Sequence, residues 1–237
     1  MSDPLLTIAL DGPAASGKST VALIVAERLG WLYFDTGAMY RAITYLALQG
    51  NDELTNGDAL GELARTTVIE IEPPTVNEQD GRQYTVWVGD ADITWLLREQ
   101  RVDQHVSTVA AHPAVRTALK TQQRRIGLRG RVIMVGRDIG TVVLPEAPLK
   151  IYLDASVEER AHRRYREIVA RGEAADYDQI LADMRSRDAR DSSRTTAPLR
   201  PAEDAIILNS DLMSIEAVAN AILEYAQVRL GVRGQEK

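Results

Sequence analysis

Short apolar runs alternate with longer stretches of helical periodicity along this chain of 237 residues. The runs lie at residues 5–10, 31–34, 132–135, 149–153 and 205–208. Each is nearly continuous in apolar residues and does not alternate with polar ones. Strands buried on both faces read this way, with helices between them covering the faces. The pattern predicts an α/β fold with a five-stranded parallel sheet flanked by helices. Ligands on such sheets bind beyond the carboxyl ends of the strands. Here those ends lead into a glycine-rich segment from Gly12, into Asp35-Thr36-Gly37, into Gly136-Arg137-Asp138 and into Asp154.

One stretch departs from this rhythm. Residues 66–95 alternate apolar and polar positions on either side of a polar turn at Asn77 to Gly81. Alternation around an Asp-Gly pair is a hairpin signal, so a small antiparallel insertion is predicted between the second and third parallel strands. Two later stretches are rich in arginine. Ser156 followed by Glu159 has the spacing of a capping box and predicts a helix start. Arg160, Arg163 and Arg164 then share one face of that helix. The same spacing also fits a solvated face paired with Glu158 and Glu159. Further on, Tyr177, Ile180, Leu181 and Met184 form an apolar stripe that continues into Arg187, Asp188 and Asp191, with Arg190 and Arg194 beside it. A stripe that turns charged without changing face predicts an exit from the core into a polar cleft. Arginines there suit a phosphate or a sugar diol, because the guanidinium is a rigid fork of donors. A surface ion-pair ladder is the alternative.

The chemistry begins with residues 12–19, Gly-Pro-Ala-Ala-Ser-Gly-Lys-Ser, which have the spacing G-x-x-x-x-G-K-[ST]. A strand-length apolar run precedes them and a helix-compatible run follows, which is the context a P-loop requires. Its glycines let several backbone N–H groups converge on one anion, and the helix start adds a positive dipole end. Gly12, Pro13, Ala14, Ala15, Ser16, Gly17, Lys18, Ser19 and Thr20 are therefore the expected residues for binding a nucleoside triphosphate. Lys18 is placed to reach the β- and γ-phosphates, and the Ser19 hydroxyl to hold Mg²⁺. No Asn-Lys-x-Asp guanine element occurs, which argues against a GTPase switch.

Composition narrows the setting. The net charge is −6, from 28 basic and 34 acidic residues, which argues against a nucleic-acid partner. There is no Cys, and the three His are scattered without ligand spacing. No signal-peptide pattern and no apolar run of membrane-spanning length is visible. A cytoplasmic monomer with small-molecule substrates is expected.

The chain resembles the bacterial cytidylate kinases over about residues 5–228. The resemblance is carried by Gly12 to Ser19, Asp35-Thr36-Gly37-Ala38-Met39-Tyr40-Arg41, Gly136-Arg137-Asp138-Ile139-Gly140-Thr141-Val142-Val143, Leu153-Asp154-Ala155-Ser156 with Glu159-Arg160-Ala161, and Arg187-Asp188 to Asp191 with Arg194. It implies transfer of the ATP γ-phosphate to CMP or dCMP with Mg²⁺. It places cytosine recognition on Ser107, Arg116 and Asp138, the acceptor phosphate on Arg41, Arg137 and Arg194, and the sugar on Arg187 and Asp191. Thr36 stands where some members have Ser and keeps the hydroxyl at the acceptor site. The catalytic set implied is Lys18, Arg137, Arg194 and, from the lid, Arg163. It further implies one P-loop kinase domain over 1–237, with 66–95 as the insertion in the monophosphate-binding region and about 156–172 as a helical lid. Asp35 is a candidate to order its loop or a magnesium-bound water. A P-loop kinase for another small anionic acceptor, or a non-catalytic nucleotide-binding module, is the competing expectation.

Overall fold

The computed structural model describes residues 5–78, 80–194 and 196–234. The expected strands form as β1 (Thr7–Asp11), β2 (Leu32–Asp35), β6 (Val132–Gly136), β7 (Leu149–Asp154) and β8 (Ile206–Asn209). Each runs one residue past its apolar run, so the strand ends on the polar or glycine residue that begins a loop. They form one five-stranded sheet in the order β2-β6-β1-β7-β8. β1 and β7 pair in parallel, Ile8 opposite Leu149, and β7 and β8 likewise, Ile151 opposite Ile206. All five residues of β1 and of β6 are buried, which is why their sequences are continuous and not alternating. β8 ends the order and alternates half-buried with exposed positions.

The chain folds as two compact units. One comprises the chain up to Trp31 and from Ile133 onward, and the other Leu32–Val132. In the first unit, α1 (Lys18–Leu29) packs on α8 (Ile215–Leu230), and α6 (Val157–Ala170) packs on α7 (Tyr177–Ser193). The α6–α7 pair includes His162 stacked on Tyr177, with ring centroids 4.4 Å apart. The caps were legible beforehand only in part. Ser156 accepts from the Glu159 N–H as a capping box requires. The reciprocal half is absent, because the Ser156 N–H donates to Asp211 and the Glu159 carboxylate faces Arg163 and Arg166.

In the second unit, α2 (Gly37–Gly50) packs against α4 (Gln100–Ala111), and α3 (Gly57–Thr66) against α5 (Pro113–Gly127). The α3–α5 approach is close. A Cβ at Gly61 would lie 2.5 Å from the Ala114 Cβ, so glycine sets the helix separation. The single Phe of the chain, Phe34, lies on β2 and is fully buried.

The antiparallel sheet forms with a different closure from the expected hairpin. β3 (Ile69–Glu72) pairs with β4 (Thr85–Val88), Ile69 opposite Val88. A third strand, β5 (Ala91–Asp92), pairs with β4 through the turn at Gly89-Asp90. Pro73 and Pro74 follow β3 directly and cannot donate to a ladder, so the β3–β4 connection opens into a long loop. Arg82 closes that loop, bonding Glu78 at 2.9 Å, Asp80 at 2.6 Å and Asp92 at 2.6 Å. The Trp95 indole N–H adds a bond to Asp80 at 2.7 Å.

Candidate functional site

The P-loop is built by one close approach. Gly12 has φ 149°, and a Cβ there would lie 2.1 Å from the Leu153 carbonyl oxygen, so only glycine lets the chain leave β1 against β7. Gly17, at φ 93°, turns the chain into α1, whose first turn contains no acidic residue. The positive end of that helix is therefore not neutralised from within. Lys18 is buried and its ammonium lies along the loop, donating to the Pro13 carbonyl at 2.5 Å and to Ser16 Oγ at 3.3 Å. Ser16 is buried, whereas Ser19 and Thr20 are exposed on the first turn.

The arginines of α6, which share one face in sequence, meet three different environments. Arg160 is 4% exposed and holds Asp188 of α7 through both guanidinium branches, at 3.2 and 2.5 Å. It also donates to the Ala14 and Ala155 carbonyls, which ties α6 and α7 to the P-loop. Arg163 bonds Glu159, then reaches the Ser210 carbonyl at 2.6 Å, Ser210 Oγ at 3.0 Å and the Ser16 carbonyl at 3.4 Å. Arg164 pairs with Glu167 at the surface. Only Arg163, of the three, lies beside the loop with a partly exposed head; its Nη1 is 3.9 Å from the position of a Cβ on Gly17.

The charged continuation of the α7 stripe forms a cluster in the same unit. Asp191 is 3% exposed and takes Arg137 on one oxygen at 3.2 Å and Arg194 on the other at 2.5 Å. Arg187 makes no hydrogen bond or ion pair among the described residues. Arg187 is exposed to solvent as a residue, yet its guanidinium is crowded by protein: partial loss of hydration, then repulsion from Arg137, holds its pKa below the usual arginine value, with Asp191 opposing. Three arginines face one carboxylate here, so positive charge is in excess. The apolar part of the stripe is shallower than its pattern suggests: Met184 is buried, while Tyr177, Ile180 and Leu181 are half-buried.

Arg137 and Asp138 follow β6 on a loop that closes as a single π-type turn over Ile139–Val143. The Asp138 carbonyl accepts from the Val142 and Val143 N–H groups, and its residue is 8% exposed. Asp11, the last residue of β1, accepts from the Ile139 N–H at 2.8 Å and the Gly140 N–H at 2.7 Å. Burial pushes the Asp11 carboxyl up to about 6, against the pull of those two amides; Asp138 adds to the rise and Lys18 opposes it.

The second unit carries the remaining expected residues. Thr36 is 5% exposed at the start of α2, and Asp35 accepts from the Gly37 N–H at 2.9 Å, so Asp35 orders this turn. Arg41 on α2 donates to the Leu97 carbonyl and to Asp103 at 2.5 Å. Arg116 on α5 places its guanidinium 5.7 Å from the ring centroid of Tyr40. Ser107 lies exposed on α4.

Sequence reasoning missed Asp11 and Ser210 as participants, and it placed Asp188 on the charged stripe without its partner Arg160. The buried Ser210 hydroxyl donates to the Ser16 carbonyl and bonds the Asp154 carbonyl. The only signal for Asp11 was a charged residue closing an apolar strand. Ser210 carried no signal, since its partners lie far away in the chain.

A family model described as cytidylate kinase matches residues 8–228. A cytidylate kinase from Herpetosiphon aurantiacus is 53% identical over 217 residues, which is 92% of this chain and 92% of that protein. A cytidylate kinase from Listeria monocytogenes serotype 4a is 48% identical over 225 residues, covering 95% of this chain and 97% of that one. Among solved structures, an uncharacterized protein from Eubacterium ventriosum aligns with a TM-score of 0.51 at 11% identity, over 95% of this chain and all of that chain. That last likeness is one of fold alone.

Proposed function

We propose that this chain, which belongs to the cytidylate kinase family, transfers the γ-phosphate of ATP to CMP or dCMP, giving CDP or dCDP. The observation that carries the reading is local to the first unit. A P-loop with a buried lysine and an arginine-rich cluster around Asp191 occur together there. The first suits a triphosphate donor and the second an anionic acceptor.

An oxygen of the acceptor phosphate attacks the γ-phosphorus, and the bond to the β–γ bridging oxygen breaks to release ADP. The attacking oxygen is already ionised, so no strong general base is needed. Positioning and charge neutralisation carry the catalysis. Lys18 and Arg163 are assigned to the donor phosphates. Arg41, Arg137 and Arg194 are assigned to the acceptor phosphate, Arg187 and Asp191 to the sugar, and Ser107, Arg116 and Asp138 to cytosine, with Thr36 beside the acceptor. Arg187 is the best supported of these, being an arginine without a protein partner among the described residues, next to two others that share one carboxylate.

Magnesium fits these residues. Among the described residues no group of three or more His, Cys, Asp or Glu could hold an ion. A nucleotide-bound Mg²⁺ needs only one or two protein ligands, the rest being phosphate oxygens and water. The exposed Ser19 hydroxyl beside Lys18 is the group that would hold it. The ion would neutralise charge on the donor phosphates.

Residues 1–237 are assigned as a P-loop kinase domain, with 66–95 as the antiparallel insertion of the monophosphate-binding region and about 156–172 as a lid that excludes water. The protein acts as a cytoplasmic monomer without a nucleic-acid partner. The net charge of −6 disfavours a nucleic-acid partner, and no helix among the described residues is long and apolar enough to cross a membrane. An acceptor screen tests the whole reading. ATP consumption is measured with each common nucleoside monophosphate in both sugar forms and with shikimate. Stimulation by CMP and dCMP above all others is expected. Stimulation by shikimate alone, or by no acceptor, would remove the assignment.

Asp138→Asn tests the base-reading role. An ionised carboxylate only accepts, which suits the exocyclic amine of cytosine and opposes the carbonyl of uracil. The variant should lower kcat/KM for CMP and narrow the CMP to UMP ratio, with KM for ATP nearly unchanged. A parallel fall for CMP and UMP would leave Asp138 as a brace of its loop.

A further inference from the structure

We infer that Asp11 is a positioning residue for the acceptor: through the Ile139 and Gly140 amides it holds the loop that carries Arg137 and Asp138 in the pose that receives the nucleoside monophosphate. The inference rests on the proposed reading of Arg137 and Asp138 as acceptor-binding.

The geometry is specific. Asp11 is the last residue of β1 and Gly12 the first of the P-loop, so its backbone is fixed by the strand register, with Asp11 opposite Tyr152 of β7. Its two carboxylate oxygens are used separately, Oδ1 by Ile139 and Oδ2 by Gly140. Those two amides follow Arg137-Asp138 directly. The contact spans 128 and 129 residues of chain, so no local turn chemistry would make it. The stem of Lys150 on β7 covers the far side: a Cβ on Gly140 would lie 3.2 Å from Lys150 Cδ and 3.4 Å from Asp11 Oδ2. Lys150 carries its ammonium away to Asp204, at 2.9 and 2.8 Å. Asp11 thus has the amides to itself, and Gly140 is the residue that leaves room for the clamp.

Stability alone is a poor reason to keep a carboxylate here. Its pKa is raised, so the environment as a whole disfavours the charge relative to water, despite two good hydrogen bonds. That cost is set against two buried amides that would otherwise lack an acceptor. What an ionised carboxylate adds is acceptance on both oxygens at once, which fixes two consecutive amides. Asparagine has one accepting oxygen and must point its amide N–H₂ at the other backbone N–H. The consequence is a rotated loop with the P-loop side left in place. A misplacement of about 1 Å in a positioning group is worth on the order of 10²-fold in rate.

The test uses the full chain with Asp11→Asn, Gly140→Ala and Asp138→Asn in steady-state kinetics with ATP and CMP. Melting temperatures and amide exchange at Ile139 and Gly140 are read alongside. Asp11→Asn should raise KM for CMP about tenfold or more, with KM for ATP and kcat within about twofold; the melting temperature reads the separate cost of the amide left unpaired. Exchange at the two amides should speed up. Gly140→Ala should shift KM for CMP in the same direction by a smaller factor, and it keeps the test decisive should Asp11→Asn fail to fold. An unchanged KM for CMP in both variants overturns the inference, as does an equal rise in KM for ATP and CMP. If Asp138→Asn alters CMP kinetics and Asp11→Asn does not, the clamp alone is wrong. If Asp138→Asn leaves CMP kinetics unaltered while amide exchange still responds to Asp11→Asn, the acceptor reading of the loop is what fails, and the positioning role falls with it.

Discussion

Two clusters of arginine and carboxylate in this molecule are built in opposite proportion. In the antiparallel sheet one arginine, Arg82, is 8% exposed at its side chain and faces three carboxylates, Glu78, Asp80 and Asp92. In the other unit one buried carboxylate, Asp191, faces Arg137, Arg194 and the unbonded Arg187. The first cluster bonds every nitrogen of its guanidinium inside the protein and closes a loop. The second leaves a guanidinium unpaired in a crowded, positive neighbourhood. Saturated charges stabilise a local structure, while a guanidinium left unbonded beside two others, its pKa lowered first by lost hydration and then by Arg137, is the arrangement the proposed acceptor site uses. Both are "charged runs" in sequence, and only the ratio after folding separates them.

The comparison is sharpest where removal of positive charge is predicted to do opposite things. Lys18→Ala, at the phosphate-binding extreme, should reduce turnover by about 10³-fold or more with an unchanged circular dichroism spectrum. Near wild-type turnover would remove the P-loop assignment. Arg187→Ala should raise KM for CMP by roughly 10- to 100-fold, the worth of a hydrogen bond to a charged group, with KM for ATP little altered. Because Arg187 is repelled by Arg137 and Arg194, its removal should leave the melting temperature unchanged or slightly higher. A lower melting temperature with normal acceptor kinetics would make this cluster a structural ladder after all.

Arg82→Ala should do the reverse. It should lower the melting temperature by roughly 2–4 °C and leave kcat within about twofold. The acid dependence gives a smaller, more selective signal. Hydrogen bonds from Arg82 and then Trp95 hold the Asp80 carboxyl well below its usual range, and a backbone bond from Thr75 lowers that of Glu78. A carboxylate with a depressed folded-state pKa stabilises the fold above its unfolded pKa of about 4, and that contribution is lost as pH falls through the folded value. The wild-type protein should therefore lose melting temperature below about pH 4. Arg82→Ala should show a shallower acid slope, and thermal melts from pH 2 to 7 measure it. An identical slope in the variant would mean that Arg82 does not hold the loop.

Much of this was legible in the sequence because it is local. The order of glycines and lysine from Gly12 to Lys18 is a loop that folds by its own backbone preferences, and the buried strands announced themselves by continuous apolar runs. The stripe through Met184 to Asp191 placed Arg187 and Asp191 correctly on one face, and Arg194 one turn on. The antiparallel pairing was legible in the alternation of residues 69–72 and 85–88. Its closure was not, because Pro73-Pro74 ends the ladder and Arg82 then gathers acids from both ends of the loop.

By itself the sequence determined the kinase family, the P-loop and the identity of most charged groups available to a nucleotide. Spacing along a helix assigns a face but not what that face meets. Arg160, Arg163 and Arg164 share a face, yet one is buried on Asp188, one leans on Ser210 beside the P-loop and one remains at the surface. Only the tertiary structure decided which arginine is saturated and which is left without a bond among the described residues. It alone also brought Asp11 to two amides 128 and 129 residues away. The physical reason is that a charge acquires its role from its neighbours' count and distance, and those are set when remote strands and helices pack, not by the residues next to it in the chain.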